Sequence, residues 1–195
     1  MDHGPAFYGK TFAQIHSDGY ARTDCDVFGA LCDQITEPNA RLFDIACGEV
    51  TSLSYASHRG IPVAGCDQSL AFVETARQHG CVVAHATAAK SEIPQDTTAV
   101  TALGEVLCYH APGSRPDLDI VLARVSSMPK VSFLAFDIIG PTITPRDFSV
   151  TDTNPQMSFR TRIDGRTMIR EIETILDGQI EIETHYQQIM HPDDV

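Results

Sequence analysis

The stretch Arg41-Leu-Phe-Asp-Ile-Ala-Cys-Gly-Glu-Val50 decides how this chain is read. A short apolar run, broken only by Asp44, leads into the small residues Ala46, Cys47 and Gly48. This is the pattern of a buried strand that ends at an acid and a tight turn. A second strand-like run, Gly65-Cys-Asp-Gln-Ser69, ends in Asp67, 23 positions after Asp44. Adjacent parallel strands deliver their carboxyl ends to one edge of a sheet, where open α/β folds bind nucleoside-type ligands. Two acids and a slim turn at that edge imply such a crevice.

The pattern repeats outward from this stretch. Tyr8 to about Ile35 reads as mostly helical, with Val27, Phe28, Leu31, Cys32 and Ile35 at helical spacing and Asp24 or Asp26 as its cap. Strands are expected at about Arg41–Ala46, Pro62–Cys66, Cys81–Ala86, Ala99–Leu103 and Val131–Asp137. Helices are expected at Thr51–His58, after a Ser69 cap as far as Gly80, and from Pro116 to Ser127. The fifth strand is nearly all apolar, as in a central strand covered on both faces. Alternating strands and helices imply a parallel α/β sheet. Beyond Gly140 the character changes to three β-prone runs, Ser158–Ile163, Thr167–Ile175 and Gln179–Met190. They are joined by Asp164-Gly165 and Asp177-Gly178, and Asp-Gly is a strong hairpin signal. In the last run Ile180, Ile182, Thr184 and Tyr186 face one way, and Glu181, Glu183 and His185 the other. The expected organisation is a single domain: a helical cap over 1–40, a Rossmann-like core over 41–140 and an antiparallel add-on over 141–195.

The chain has 195 residues, enough for one domain with a real core, and a net charge of −12. The acid is spread along the chain, as in a solubilising surface. Binding to duplex nucleic acid needs a basic face, so nucleic acid is not an expected partner. Cys25, Cys32, Cys47, Cys66, Cys81 and Cys108 form no Cys-x-x-Cys pair and no zinc spacing, so no metal is expected, and the thiols suit a reducing cytoplasm. There is no signal-peptide pattern and no apolar run of membrane-spanning length.

With these motifs in order, the chain resembles the class I S-adenosylmethionine-dependent methyltransferases, in particular a bacterial small-molecule subgroup. Phe43-Asp-Ile-Ala-Cys-Gly-Glu-Val50 resembles the first motif of that family, and Gly65-Cys-Asp-Gln-Ser69 the second, whose acid holds the ribose hydroxyls. Ala86-Thr-Ala88 occupies the place of an adenine-side motif. Thr101-Ala-Leu-Gly-Glu-Val-Leu-Cys-Tyr109 is similar to the fourth-strand motif, and Tyr8-Gly-Lys-Thr-Phe-Ala-Gln-Ile-His-Ser-Asp-Gly-Tyr20 to the N-terminal segment that covers the cofactor. The resemblance implies S-adenosylmethionine as cofactor, S-adenosylhomocysteine as product and a small-molecule acceptor. The cofactor-binding candidates it implies are Tyr8, Tyr20, Asp44, Ala46, Cys47, Gly48, Asp67, Gln68, Ser69, Thr87, Ala88, Gly104 and Glu105. His16 joins Tyr8 and Tyr20 as a lid candidate. The general-base candidates are Tyr109, His110 and His185.

The sequence also departs from the family. Val50 stands where the first motif ends in glycine, and a β-branched residue disfavours positive φ. Thr87 replaces an acid beside the adenine. The family's further helix and strand-five hairpin have no counterpart, which implies a shortened C-terminus and an exposed strand-five edge that favours association, for instance as a homodimer. Val50 and the missing elements motivate a second reading, a nucleoside-binding protein without catalysis. A dinucleotide oxidoreductase wants Gly-x-Gly-x-x-Gly after the first strand, and Ala46-Cys-Gly-Glu-Val-Thr51 fails it. Four arginines, Arg160, Arg162, Arg166 and Arg170, read either as an anion site or as a solvated face.

Overall fold

Strands β1 (Leu42–Ile45), β2 (Val63–Asp67), β3 (Val82–His85), β4 (Ala99–Ala102) and β5 (Phe133–Phe136) form one parallel sheet in the order β3-β2-β1-β4-β5. The computed structural model describes residues 8–16, 25–48, 50–151 and 154–194. The chain winds outward from β1 to β2 and β3, then returns to the other side of β1 for β4 and β5. The point where this order reverses lies between β1 and β4, and it opens a crevice beyond their carboxyl ends. Every residue of β1 and β4 is buried, as expected for strands covered on both faces.

Alternation along β1 sends Leu42 and Phe43 to opposite faces. Leu42 packs with Phe28 and Cys32 of α2 (Cys25–Gln34), with Ile35 just beyond it and with Ala56 of α3 (Val50–His58). Phe43 and Ile45 pack on the other face with Val121 and Val125 of α5 (Leu118–Ser126). Helix α4 (Leu70–Gln78) covers β2 and β3 through Val73 and Ala76. Its expected cap is present: the Ser69 hydroxyl accepts the Phe72 N–H at 3.4 Å. Asp24 lies outside the described residues, as does the Asp26 side chain.

The antiparallel unit has four strands, β6 (Phe148–Val150), β7 (Gln156–Asp164), β8 (Thr167–Leu176) and β9 (Gln179–Gln188), ordered as a meander. Strand β6 is an addition to the three read from sequence. The β8–β9 turn is Asp177-Gly178, with φ of 50° and 78°, as its sequence demands. The β7–β8 turn falls one residue later than expected, on Gly165-Arg166, because Asp164 still pairs with Thr167. This sheet joins the main core: Met168, Ile189 and Met190 share one cluster with Ile45, Val100 and Val121. A short helix α1 (Lys10–Ile15) seats Phe12 against Met157 and Ile172 of the same sheet.

One sequence expectation needs correction. Strand β5 is not central. It ends the described sheet beside β4, and all four of its residues are half-buried. The alternation along β9 has the expected period, but its polar row is the one turned inward. Glu183, His185 and Gln187 are 7 %, 0 % and 0 % exposed, while Ile180 and Ile182 are 61 % and 67 % exposed.

Candidate functional site

Strand register brings the first acid to the crevice. Asp44 lies opposite Gly65 of β2 and Thr101 of β4. Its buried carboxylate accepts the Thr101 hydroxyl at 2.7 Å on one oxygen and the Ser52 hydroxyl of α3 at 2.7 Å on the other. Gly65 is required here, since a Cβ would meet the Asp44 carbonyl oxygen at 2.7 Å and Cys47 at 3.0 Å. The turn after β1 then bends through left-handed residues, Ala46 at φ 53° and Gly48 at φ 59°. Val50 opens helix α3, so the position that lacks glycine needs no positive φ.

The second acid closes this turn. Asp67 ends β2, accepts the Gly48 N–H at 2.8 Å on Oδ2 and the Ser69 N–H at 2.7 Å on Oδ1. The Gln68 amide is a third donor near this carboxylate, and the three together do not saturate it. Burial raises the Asp44 carboxyl to about 6, opposed by its two hydroxyl donors and reinforced by Asp67. Burial also raises the Asp67 carboxyl, against the pull of the Ser69 and Gly48 amides. Among the described residues neither acid has a Lys or Arg ion pair. Two buried acids that repel each other across one crevice favour a cationic guest.

That crevice is a cavity of about 460 Å³, within the usual range for a small-molecule or cofactor site. Tyr8, Asp44, Ala46, Cys47, Gly48, Asp67, Gln68, Thr87, Ala88, Gly104, Tyr109 and His110, all singled out in the sequence, line it, as does His16. Ser69, Glu105 and His185 do not. Ser69 sits behind the wall, where its hydroxyl donates to the Tyr8 carbonyl at 2.8 Å. Glu105 stands at φ 61° with its N–H on Asp137 Oδ1 at 2.7 Å, and its side chain accepts from Gln187 Nε2 at 3.3 Å. His185 lies beneath the Tyr8 ring, with centroids 5.2 Å apart, and bonds Glu183 at 2.9 Å. Tyr20 lies outside the described residues.

The three base candidates differ in their surroundings. Tyr109 is half-buried with its hydroxyl 3.3 Å from that of Tyr8, and desolvation of that hydroxyl lifts its phenol well above the ordinary range. The phenolate is therefore disfavoured. His110 places Nδ1 2.9 Å from the Ala111 carbonyl, which only accepts, so Nδ1 carries the proton. Its Nε2 is buried and, among the described residues, has no hydrogen-bond partner. Sequence reasoning missed the rest of the wall. Phe28, Tyr55 and Phe72 line the cavity, although helical spacing marks such residues as core. Ser52 and Thr101 hold Asp44, and Asp137 anchors the loop after β4 through the Gly104 and Glu105 amides at 3.2 and 2.7 Å. Of the arginines, Arg160, Arg162 and Arg166 are exposed. Arg166 pairs with Asp194. Arg170 is half-buried on the inner face of β8 and near enough to favour the ionised forms of Tyr8 and Tyr109.

No family model and no curated protein matches the chain. Solved structures match its fold. The CcbJ methyltransferase from Streptomyces caelestis is similar at TM-score 0.74 and 14 % identity, over 100 % of this chain and 84 % of that one. An S-adenosylmethionine-dependent methyltransferase from Clostridium acetobutylicum is similar at TM-score 0.71 and 16 % identity, over 94 % of this chain and 82 % of that one. The sugar N-methyltransferase KedS8 from a Streptoalloteichus species is similar at TM-score 0.70 and 16 % identity, over 100 % of this chain and 82 % of that one. The Rossmann-like sheet with its antiparallel companion is therefore the fold of S-adenosylmethionine-dependent methyltransferases.

Proposed function

We propose that the chain is an S-adenosylmethionine-dependent methyltransferase acting on a small-molecule acceptor. One observation carries this reading: Asp44 and Asp67, on the ends of adjacent strands, face one cavity with the Gly48 turn locked between them. The residues fit the cofactor. Asp67 holds spare lone pairs for a ribose diol, the raised acids welcome a cation, and the small turn Ala46-Cys47-Gly48 leaves the backbone accessible. When bound, S-adenosylmethionine supplies a methyl group on a sulfonium centre, open to in-line displacement.

The protein's part is positioning and field. Asp67 orients the ribose. Asp44, fixed by Ser52 and Thr101, supplies negative potential toward the aminoacyl and sulfonium end. Thr87 and Ala88 bound the adenine side. Tyr8 and Tyr109 form the wall beside His110, the general-base candidate for the proton released by an amine or hydroxyl acceptor. KedS8 is a sugar N-methyltransferase, so amino sugars head the list of acceptors to test. The acidic chain disfavours nucleic acid. Among the described residues no helix is long and apolar enough to cross a membrane. Free thiols at Cys32, Cys47, Cys66, Cys81 and Cys108 suit the cytoplasm. The test is transfer of labelled methyl from S-adenosylmethionine to a panel of amino sugars and phenols, beside titration with S-adenosylhomocysteine. Binding without transfer to any acceptor would favour the non-catalytic reading, and no binding would reject both.

A further inference from the structure

No described residue of β6–β9 lines the cavity. The inward polar row of β9 nevertheless reaches it through the N-terminal segment. A buried carboxylate is costly unless its oxygens are hydrogen-bonded. Those of Glu183 are: Oε1 accepts the Gly9 N–H at 2.5 Å, and Oε2 accepts the Tyr8 N–H at 2.8 Å and His185 Nε2 at 2.9 Å. Tyr8 turns its amide toward this anion at φ 51°, a left-handed conformation that costs energy for a tyrosine and persists only where its surroundings enforce it. The enforcement comes from two sides. Glu183 grips the Tyr8 and Gly9 amides, and Ser69 at the end of β2 grips the Tyr8 carbonyl at 2.8 Å. So fixed, the ring stacks on Phe12 with centroids 4.8 Å apart, lies 5.3 Å from Phe72 and completes the cavity wall. Gly9 is fitted to the same contact, because a Cβ there would stand 3.1 Å from Glu183 Oε1.

We propose that Glu183 is a positioning residue: it seats the Tyr8–Gly9 backbone on the cavity and so makes ligand retention depend on the antiparallel sheet. The seating stands on its own geometry, and its consequence for the ligand rests on the adenosyl-binding reading above. Glu183→Gln keeps the shape but sets an NH2 group either against the Gly9 N–H or against the Tyr8 N–H and His185 Nε2. Met168→Ala, in the buried interior of β8 and in a different core cluster from the one Tyr8 packs on, is the control for general destabilisation. Amide exchange is measured without ligand, and S-adenosylhomocysteine is titrated into all three proteins. Glu183→Gln is expected to lose protection at the Tyr8 and Gly9 amides and to bind at least about tenfold more weakly, as for lost charge-assisted hydrogen bonds. Met168→Ala is expected to melt at lower temperature while keeping Tyr8–Gly9 protection and affinity within about twofold. If Glu183→Gln fails to fold, Glu183→Asp, which keeps the charge but draws the carboxylate back from the two amides, replaces it with the same expectation. Unchanged protection at Tyr8 and Gly9 would overturn the seating. Lost protection with unchanged affinity would overturn its link to the ligand. A wild-type protein that binds no S-adenosylhomocysteine would reject the adenosyl reading, while the exchange data still decide the seating.

Discussion

Affinity for S-adenosylhomocysteine is expected to depend on pH through Asp44. Its carboxyl is raised to about 6 from an ordinary 3.8, first by burial and then by Asp67, against the Ser52 and Thr101 hydroxyls. S-adenosylhomocysteine has no sulfonium charge, but the α-ammonium of its aminoacyl end, placed next to Asp44, favours the ionised form and returns the group toward its ordinary value. The proton and the ligand then compete. At pH 7 Asp44 is already ionised and the proton exacts little; at pH 5 it must be displaced, which weakens binding by about tenfold, and near pH 6 about half a proton leaves per ligand bound. The sign for stability is the opposite of the usual acid effect. Because the folded value lies above the unfolded one, the ligand-free protein binds more protons than the unfolded chain between pH 4 and 6. Stability from this group is therefore lost as pH rises through that window, by up to about 3 kcal/mol. Titration calorimetry from pH 5 to 7.5 in buffers of different ionisation enthalpy measures both affinity and proton release. Asp44→Asn is expected to flatten the profile and to melt no lower than wild type at pH 7 without ligand. A flat wild-type profile with no proton release, or a slope that survives in Asp44→Asn, would refute the reasoning.

Asp67→Ala is expected to weaken S-adenosylhomocysteine by about ten- to a hundredfold and to lower the melting temperature, because it also orphans the Gly48 and Ser69 amides; calorimetry and thermal melts check both. Val50→Gly is expected to leave affinity untightened and to cost about 0.5–1 kcal/mol of stability, since the position is helical; denaturant titration measures the cost, and a tighter complex would show that valine strains the turn. Gly65→Ala is expected to destabilise by about 1–3 kcal/mol, because its Cβ would press on the Asp44 carbonyl at 2.7 Å; an unchanged denaturation midpoint would contradict the close approach. His110→Ala is expected to lower kcat by about a hundredfold or more with an acceptor that must lose a proton, while S-adenosylhomocysteine affinity stays unchanged. Equal turnover would remove His110 from proton transfer.

The two acids were legible because strand, turn and acid are contiguous in sequence and the carboxyl-edge rule places them without tertiary information. The Ser69 cap and the Asp177-Gly178 turn are equally local. Ser52 and Thr101 were not legible as partners of Asp44, because only the β1–β4 register and the start of α3 bring them to it. Phe28, Tyr55 and Phe72 follow the same helical spacing whether they pack in a core or wall a cavity. On β9 the period revealed two faces but not which turns inward. Hydrophobicity favours the isoleucines, and the reversal is made by the Tyr8 and Gly9 amides, 175 and 174 positions away in the chain. Strand β6 is three residues long, too short for its alternation to stand out. The apolar run of β5 reads like a buried centre, yet the strand is half-buried at the end of the described sheet.

The most direct measurement is a crystal structure of the protein with S-adenosylhomocysteine. The ribose hydroxyls are expected within hydrogen-bond distance of the Asp67 carboxylate, with the aminoacyl end toward Asp44 and the Gly48 turn beneath it. Ligand density elsewhere on the molecule, or a ribose turned away from Asp67, would contradict the assignment of this cavity.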